Sequence, residues 1–305
     1  MAVCSREGAA VNAKVERGPT LKFIDTHLHA ISPDTARYPV APVGGHQSDW
    51  SRERPVDAPG VLRAMDDAGI DKAVLVQAST VYGHDNRYVV AAVRAAPDRF
   101  VGVYSIDALS ADAVAQIDRW RSAGLSGIRL FTTGSTMPGQ SDWLGHESSY
   151  GAWAHAEALG IPICLQMTMA GLPVLRSLLE RFPKVRVLLD HCARPDLSDG
   201  PPYEAARALF DMASYPGVYL KLTNRTLAAA QAGKSNPATF LEKLVTTFGA
   251  NRIAWGSNFP AADGQLTELL ATARAALSAL APADQALICG GTAGIVYPSL
   301  LAAQL

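Results

Sequence analysis

The sequence predicts an α/β fold of a single domain, a (β/α)8 barrel of the TIM type. Short apolar segments rich in β-branched residues alternate along the 305 residues with longer segments of helical periodicity, and eight such apolar segments occur. Alternating strands and helices indicate a parallel sheet, and eight strands close a barrel. The alternative is an open doubly wound sheet. That fold normally carries a glycine-rich phosphate loop, and the chain contains neither GxGxxG nor GxxxxGKS/T.

The predicted strands, in chain order, are 22–27, 72–78, 100–107, 127–131, 161–167, 185–191, 218–223 and 252–258. The clearest helical segments between or after them are 61–70, 86–96, 111–124 and 266–280. Gly69 and Gly124 close two of these segments, where a glycine is expected just past the end of a helix. Glycines at the predicted ends of helices therefore support the assigned alternation of strand and helix.

Two segments lack this periodicity. Residues 30–57 follow the first strand and are rich in proline and glycine, and on a barrel such a segment lies at the C-terminal rim, where loops cover active sites. Residues 1–20 contain no apolar core of a secretory signal, and we predict that they form a flexible leader. The barrel domain is then expected to span residues 21–305.

Composition narrows the range of partners. Lysine and arginine total 27 against 28 aspartate and glutamate, without charge runs, so nothing favours a nucleic-acid partner or an anionic membrane. The four cysteines show no paired spacing, and no apolar run approaches the roughly 18–20 residues of a membrane-spanning helix. We therefore expect a cytoplasmic protein that acts on a small molecule. The sequence leaves homo-oligomerisation open.

Three histidines stand at the ends of predicted strands. Asp25, His27 and His29 share one face of the first strand, and HxH is a common metal-chelating spacing, although a structural pair also produces it. His191 ends the sixth predicted strand and shares its parity with Val187 and Leu189. Because all parallel strands of a barrel end at one rim, we expect these histidines to meet there.

Cations and amides also occur at strand ends. Arg129 and Lys221 lie within apolar strands, where an unpaired charge is very costly, so each must face a carboxylate of the protein or of a substrate. Arg194 follows His191, and Arg225 follows the seventh strand, with surface or structural pairing as the alternative. Further polar candidates at strand ends are Gln77, Gln166 and Asn258. Cations at the rim of a neutral protein indicate a carboxylated substrate.

The segments FIDTHLHA, GIRL, LLDHCARPD, KLT and RIAWGSNFP, in this order and spacing, resemble the amidohydrolase superfamily, of the amidohydrolase 2 type. The chain is similar there to the branch of 2-pyrone-4,6-dicarboxylate lactonases and sugar lactonases. The resemblance covers roughly residues 21–300, and it includes GGTAGIVYP as the closing helix. It implies a distorted TIM barrel with its active site at the C-terminal ends of the strands.

The resemblance also implies a metal held by the strand-one histidines, and a strand-eight aspartate that binds the metal and takes a proton from water. This chain has Arg129 on strand four, Gln166 on strand five and Asn258 on strand eight, where that pattern has an anionic residue or lysine, a histidine and an aspartate. An amide cannot accept a proton at neutral pH. With few donors left, a divalent ion should bind weakly.

The leading hypothesis is a metal-independent hydrolase that opens a small carboxylated lactone. In it, the histidines His27, His29 and His191 polarise the carbonyl or move the proton, and Asn258 positions water. The residues expected to contact the substrate are Arg129, Gln166, Arg194, Lys221 and Gln77. The first alternative is a hydrolase or non-oxidative decarboxylase with one zinc or manganese ion on the three histidines. The second is a non-catalytic barrel that binds a small acid.

Overall fold

The computed structural model describes residues 22–133 and 139–301, so the predicted leader, 1–20, lies outside the described residues. Within the described residues, eight parallel strands pair in chain order to form one sheet. The strands β1–β8 are Phe23–Leu28, Ile70–Val76, Phe100–Ser105, Gly127–Phe131, Ile163–Gln166, Val187–Leu189, Val218–Thr223 and Ile253–Gly256. The predicted barrel is confirmed. Six of the predicted strand segments contain the observed strand, whereas β1 ends one residue later and β2 begins two residues earlier than predicted.

Helices connect the strands and surround the sheet. The α-helices α1–α13 are Asp49–Glu53, Ala58–Ala68, Ser79–Tyr82, Arg87–Ala95, Ala113–Ser122, Tyr150–Leu159, Leu172–Arg181, Arg207–Asp211, Asn224–Ala229, Pro237–Phe248, Leu266–Leu277, Pro282–Ala286 and Thr292–Val296. Among the described residues no helix is long and apolar enough to cross a membrane.

Helix ends follow their sequence signals. The Asp57 side chain accepts a hydrogen bond from the Gly60 amide at 2.7 Å and caps the start of α2. Gly69 ends α2 with φ 71°, and Gly124 follows α5 with φ 100°. These left-handed values favour glycine because it lacks a Cβ atom.

The barrel closes where β8 meets β1. The Thr26 hydroxyl donates to the carbonyl of Trp255 at 2.7 Å, and the backbone N–H of Asn258 donates to the carbonyl of His27 at 2.7 Å. A Cβ atom at Gly256 would lie 2.7 Å from the Cβ of His27. Only glycine permits this approach, and the closure fixes β1 beside β8 and beside Asn258, which follows β8.

The core divides into two sets of buried side chains. Alternate strand residues such as Val74, Val103, Cys164 and Leu188 pack with the closing helix α13, and the hydroxyl of Tyr297 lies 3.1 Å from the Cys164 sulfur. The larger set packs the outer face of the strands against the surrounding helices. Apolar side chains thus fill the end of the barrel that α13 covers, and the polar side chains lie at the opposite end, where the strands terminate.

Candidate active site

A pocket of about 130 Å³ lies at the C-terminal ends of the strands. Six of its lining residues were predicted from the sequence as site residues, namely His29, Arg129, Gln166, His191, Arg194 and Asn258. Trp50 and Arg225 also line it. Trp50 belongs to α1, so the segment 30–57 contributes a wall of the pocket.

His29 presents one ring nitrogen to the protein and lines the pocket. Its Nδ1 lies 2.8 Å from the carbonyl oxygen of Val76, at the end of β2. A carbonyl only accepts hydrogen bonds, so Nδ1 carries the proton and Nε2 keeps a lone pair. The imidazole stacks on Trp50 with ring centroids 5.4 Å apart. Burial, followed by the nearby charge of Arg129, lowers the pKa of His29 to about 3, so this imidazole is neutral at physiological pH.

His27 is fully buried and does not line the pocket. Its ring centroid lies 5.0 Å from that of His29 and 5.0 Å from that of His191, so the three predicted histidines do meet. Its Nδ1 lies 3.3 Å from the Lys221 ammonium, and its Nε2 has no hydrogen-bond partner among the described residues. Burial lowers the pKa of His27 well below its usual value, and the charge of Asp190 only partly offsets that effect.

Asp190 lies at the centre of a buried ion network. Its Oδ1 is 3.2 Å from Lys221 Nζ and 3.5 Å from His27 Nδ1, and its Oδ2 is 3.5 Å from Arg129 Nε. Burial alone would raise the pKa of Asp190, but Lys221, His27 and Arg129 together outweigh burial and hold the pKa well below its usual value. Asp190 is therefore a carboxylate whose charge is used to neutralise cations of the protein.

Lys221 and Gln77 were predicted to contact substrate, and the structure does not bring them to the pocket. Lys221 is fully buried and paired with Asp190. The Gln77 side chain donates to the carbonyls of Gly83 and Asp85 at 3.3 and 2.8 Å and so holds the loop after β2. Both residues support the pocket from the protein side.

His191 reaches the pocket through an unusual turn. The sixth predicted strand was expected to run to His191, but β6 ends at Leu189. The next residues, His191–Arg194, all have left-handed φ angles of 53–58°. Such a conformation costs roughly 1–2 kcal/mol per residue outside glycine. The turn places both His191 and Arg194 at the pocket, and the Nδ1 of His191 lies 2.8 Å from the Thr223 hydroxyl. Burial lowers the pKa of His191 to about 3.

Asn258 lines the pocket in a left-handed conformation, with φ 64°. Asparagine and aspartate both tolerate this region, because their short side chains hydrogen-bond locally. The backbone at this position is therefore compatible with either residue. The predicted location of Asn258 at the end of strand eight agrees with the structure, where it follows β8 by two residues.

Three arginines face the pocket. Arg129 donates from Nη1 to the carbonyl of Gln77 at 2.8 Å and lies near Asp190. Within residues 22–133 and 139–301, neither Arg194 nor Arg225 forms an ion pair, and the Nε of Arg194 is buried without a hydrogen-bond partner. Burial, together with the charge of Arg225, lowers the pKa of Arg194 to about 10. Arg194 and Arg225 can therefore bind an anion in the pocket, whereas Arg129 is already paired with Asp190.

Two buried carboxylates were not singled out as site residues from the sequence. Asp190 is one, and its position two residues after Leu188, on the face that packs inside the barrel, was the available signal. Asp25 is the other. Its Oδ1 accepts from the amides of His27 and Ser257, each at 2.9 Å, and burial raises its pKa to about 6. Trp50 gave no signal, because it lies in a segment without periodicity.

The residues present do not fit a divalent metal ion. Among the described residues no group of three or more His, Cys, Asp or Glu side chains is arranged to hold one. The Lys221 ammonium lies beside His27, and Asp190 is already engaged by three cationic or polar groups. Asn258 contributes no charge. A divalent ion at His27 would lie near the cations Lys221 and Arg129, and the carboxylate beside them, Asp190, is already paired with both.

Comparison with known proteins agrees with this architecture. The family model described as amidohydrolase matches residues 24–298. The chain is 26% identical over 195 residues to the L-fucono-1,5-lactonase of Burkholderia ambifaria, a match that covers 63% of this chain and 66% of that protein. It is 25% identical over 249 residues to the 2-pyrone-4,6-dicarboxylate hydrolase of Comamonas testosteroni, covering 78% of this chain and 76% of that protein.

Solved structures show the same fold. A putative 2-pyrone-4,6-dicarboxylic acid hydrolase from Pseudomonas putida superposes with a TM-score of 0.73 at 23% identity, covering 92% of this chain and 99% of that one. An amidohydrolase from Burkholderia multivorans with bound zinc superposes with a TM-score of 0.70 at 20% identity, covering 91% of this chain and 99% of that one.

Proposed function

The chain belongs to the amidohydrolase family, and from that premise we propose that it is a hydrolase that opens a small carboxylated lactone. The names of its relatives support a lactone as substrate class, since one is a sugar lactonase and another a pyrone dicarboxylate hydrolase. The observation that carries the proposal is a neutral imidazole, His29, whose Nε2 has no hydrogen-bond partner among the described residues and which lines the pocket beside Arg194 and Arg225, two arginines without an ion pair in that part of the chain.

In the proposed mechanism His29 is the general base. Nε2 removes a proton from water as the water oxygen bonds to the lactone carbonyl carbon. The ring C–O bond then breaks, and the imidazolium returns the proton to the departing oxygen. A base with a low pKa gives little driving force for the first proton transfer, so the substrate must be an activated ester such as a conjugated or enol lactone.

The other pocket residues bind the negatively charged groups of the substrate and of the reaction intermediate. Arg129 and the amide NH2 of Asn258 stabilise the oxyanion that forms on the carbonyl oxygen. Arg194 and Arg225 hold the substrate carboxylate, a role that bidentate guanidinium groups suit. His191 completes the wall and, through Thr223, is held in a fixed orientation. The small pocket volume favours a compact substrate.

We propose that the reaction proceeds without a metal ion. The support is the donor set: the Lys221 ammonium lies 3.3 Å from Nδ1 of His27, and the neighbouring carboxylate, Asp190, is paired with Lys221 and Arg129. No step in the mechanism therefore passes through a metal. Elemental analysis of protein produced in medium supplemented with zinc and manganese tests this part, since near-stoichiometric metal in the purified protein contradicts it.

The function is tested with a panel of lactones in a pH-indicator assay, with and without chelator. We expect turnover of a carboxylated lactone that chelator does not reduce, and a loss of roughly 10²–10⁴-fold in His29→Gln. Asn258→Asp and the exposed Asn251→Asp are run beside the parent protein. If the parent protein binds the lactones without turning them over while only Asn258→Asp is active, the proposal for the native chain is wrong.

A further inference from the structure

Lys221 occupies an unusual position for a lysine. It comes from β7, its side chain is fully buried, and it does not reach the pocket. Its Nζ lies 3.2 Å from Asp190 Oδ1 and 3.3 Å from His27 Nδ1. A buried ammonium needs a compensating anion, and Asp190 supplies it. The contact with His27 is not needed for charge balance and calls for a separate explanation.

We propose that Lys221 is a positioning residue that holds His27 as the tautomer protonated on Nε2, and that it thereby withdraws His27 from metal binding. An ammonium carries three donors and no acceptor. A proton on His27 Nδ1 would face that ammonium across 3.3 Å, donor against donor. Nδ1 must therefore accept from Lys221, which leaves the proton on Nε2. An imidazole nitrogen that carries a proton cannot coordinate a metal ion.

Asp190 is the other possible hydrogen-bond partner of His27 Nδ1, and Lys221 keeps Nδ1 from donating to it. Its Oδ1 lies 3.5 Å from His27 Nδ1, slightly farther than the ammonium. Without the ammonium, Nδ1 is expected to carry the proton and donate it to Asp190. Histidines that bind metals commonly donate their other ring proton to a carboxylate in this way. The Lys221 side chain thus keeps His27 from the tautomer that could coordinate a metal ion through Nε2.

The two histidines of the HxH pair then differ in function. His29 donates from Nδ1 to Val76 and keeps a lone pair on Nε2, whereas His27 carries a proton on Nε2. Nε2 of His29 can therefore accept a hydrogen bond, and Nε2 of His27 can donate one. This inference rests on the contacts of Lys221, so it can fail or succeed independently of whether the protein hydrolyses lactones.

The direct test is the tautomer of His27 in the unmodified protein. Long-range 1H–15N correlation spectra of protein labelled with 15N-histidine show which ring nitrogen carries the proton, and comparison with His27→Gln assigns the signals. We expect His27 to be protonated on Nε2 and His29 on Nδ1. A His27 signal of the Nδ1-protonated form overturns the proposal, and this measurement needs no variant of Lys221.

The second test replaces Lys221 with methionine, which has a similar length and no charge, with the exposed Lys184→Met as control. In Lys221→Met we expect His27 to change to the Nδ1-protonated form and zinc to bind roughly 10–100-fold more tightly, as competition with a chromophoric chelator measures. Lys184→Met should match the parent protein in both respects. Removing the positive charge of Lys221 would by itself raise the affinity for zinc. Tighter zinc binding with an unchanged His27 tautomer therefore contradicts the proposal. If Lys221→Met does not fold, the spectrum of the unmodified protein decides.

Discussion

The buried histidines make the folded state sensitive to acid. Burial lowers the pKa of His29 and of His191 to about 3, against about 6.5 in an unfolded chain. Between these values the unfolded chain binds protons that the folded chain does not, so the free energy of unfolding rises with pH. The stability linked to each histidine is fully present above about pH 6.5 and is lost as the pH falls toward about 3.

The size of the effect follows from these values. Between about pH 7.5 and about pH 5, each of the two histidines removes about 2 kcal/mol from the free energy of unfolding. Asp25 acts in the opposite direction. Its pKa is raised to about 6 by burial, so its protonation in the folded state returns roughly 1 kcal/mol over the same range. His27, whose pKa is also lowered, adds to the loss. A net loss of about 3 kcal/mol or more is large against a typical total of about 5–15 kcal/mol.

Urea unfolding followed by circular dichroism at the two pH values measures this difference. His191→Asn, which suits the left-handed backbone at this position, should reduce the pH-dependent loss by about 2 kcal/mol. The exposed His46→Asn should leave it unchanged. The reasoning is refuted if the unmodified protein is equally stable at both pH values, or if His191→Asn and the unmodified protein lose the same amount.

Three further substitutions, the first with a surface control, test the roles of Asp190, Arg225 and Trp50. Asp190→Asn should lower the free energy of unfolding by about 3–5 kcal/mol in urea titrations, because it leaves buried cations unpaired. Asp211→Asn, which breaks an exposed pair, should cost less than about 1 kcal/mol, and similar values for both would contradict this. Arg225→Gln should raise KM for a carboxylated lactone by roughly tenfold, and an equal change for an uncharged lactone would exclude a carboxylate contact. Trp50→Ala should raise the pKa of His29 in NMR titrations by about one unit or more, since it exposes the ring to water. An unchanged pKa would show that Trp50 does not shield it.

The fold was predictable because the pattern that specifies it is repeated along the whole chain. Each strand alternates with a helix, and glycines such as Gly69 stop the helices where the chain must turn. Barrel closure adds the rule that strand ends share one rim, so His29, Arg129, Gln166 and Asn258 could be expected together. None of these predictions needed the exact ends of the strands.

The depth at which a single side chain lies is harder to predict from the sequence, for a physical reason. Alternation along a strand tells which face a residue takes, but it does not tell how deep the residue lies. Lys221 shares the inner face, yet it pairs below the pocket with Asp190. His191 reaches the pocket only because β6 ends early and a left-handed turn redirects the chain, and Cys192, Ala193 and Arg194 in that turn have no preference for this conformation. Trp50 depends on an aperiodic loop.

The charges around Asn258 give a physical reason for an amide at the position where the family resemblance implies an aspartate. Arg129, Arg194 and Arg225 face the pocket, and Asp190 lies beneath it as the carboxylate that balances Arg129. An aspartate at position 258 would offer these arginines an internal partner and compete with a substrate carboxylate for them.

We therefore expect Asn258→Asp to act on binding and chemistry in opposite directions. The new carboxylate can accept a proton, so kcat for an activated lactone should rise, whereas KM for a carboxylated lactone should rise by roughly tenfold as the arginines gain a competitor. Steady-state kinetics with a carboxylated and an uncharged lactone measure both effects. For the uncharged lactone KM should stay unchanged while kcat rises. A fall in KM for the carboxylated substrate would show that the arginines do not bind it, and the assignment of the anion site would then be wrong.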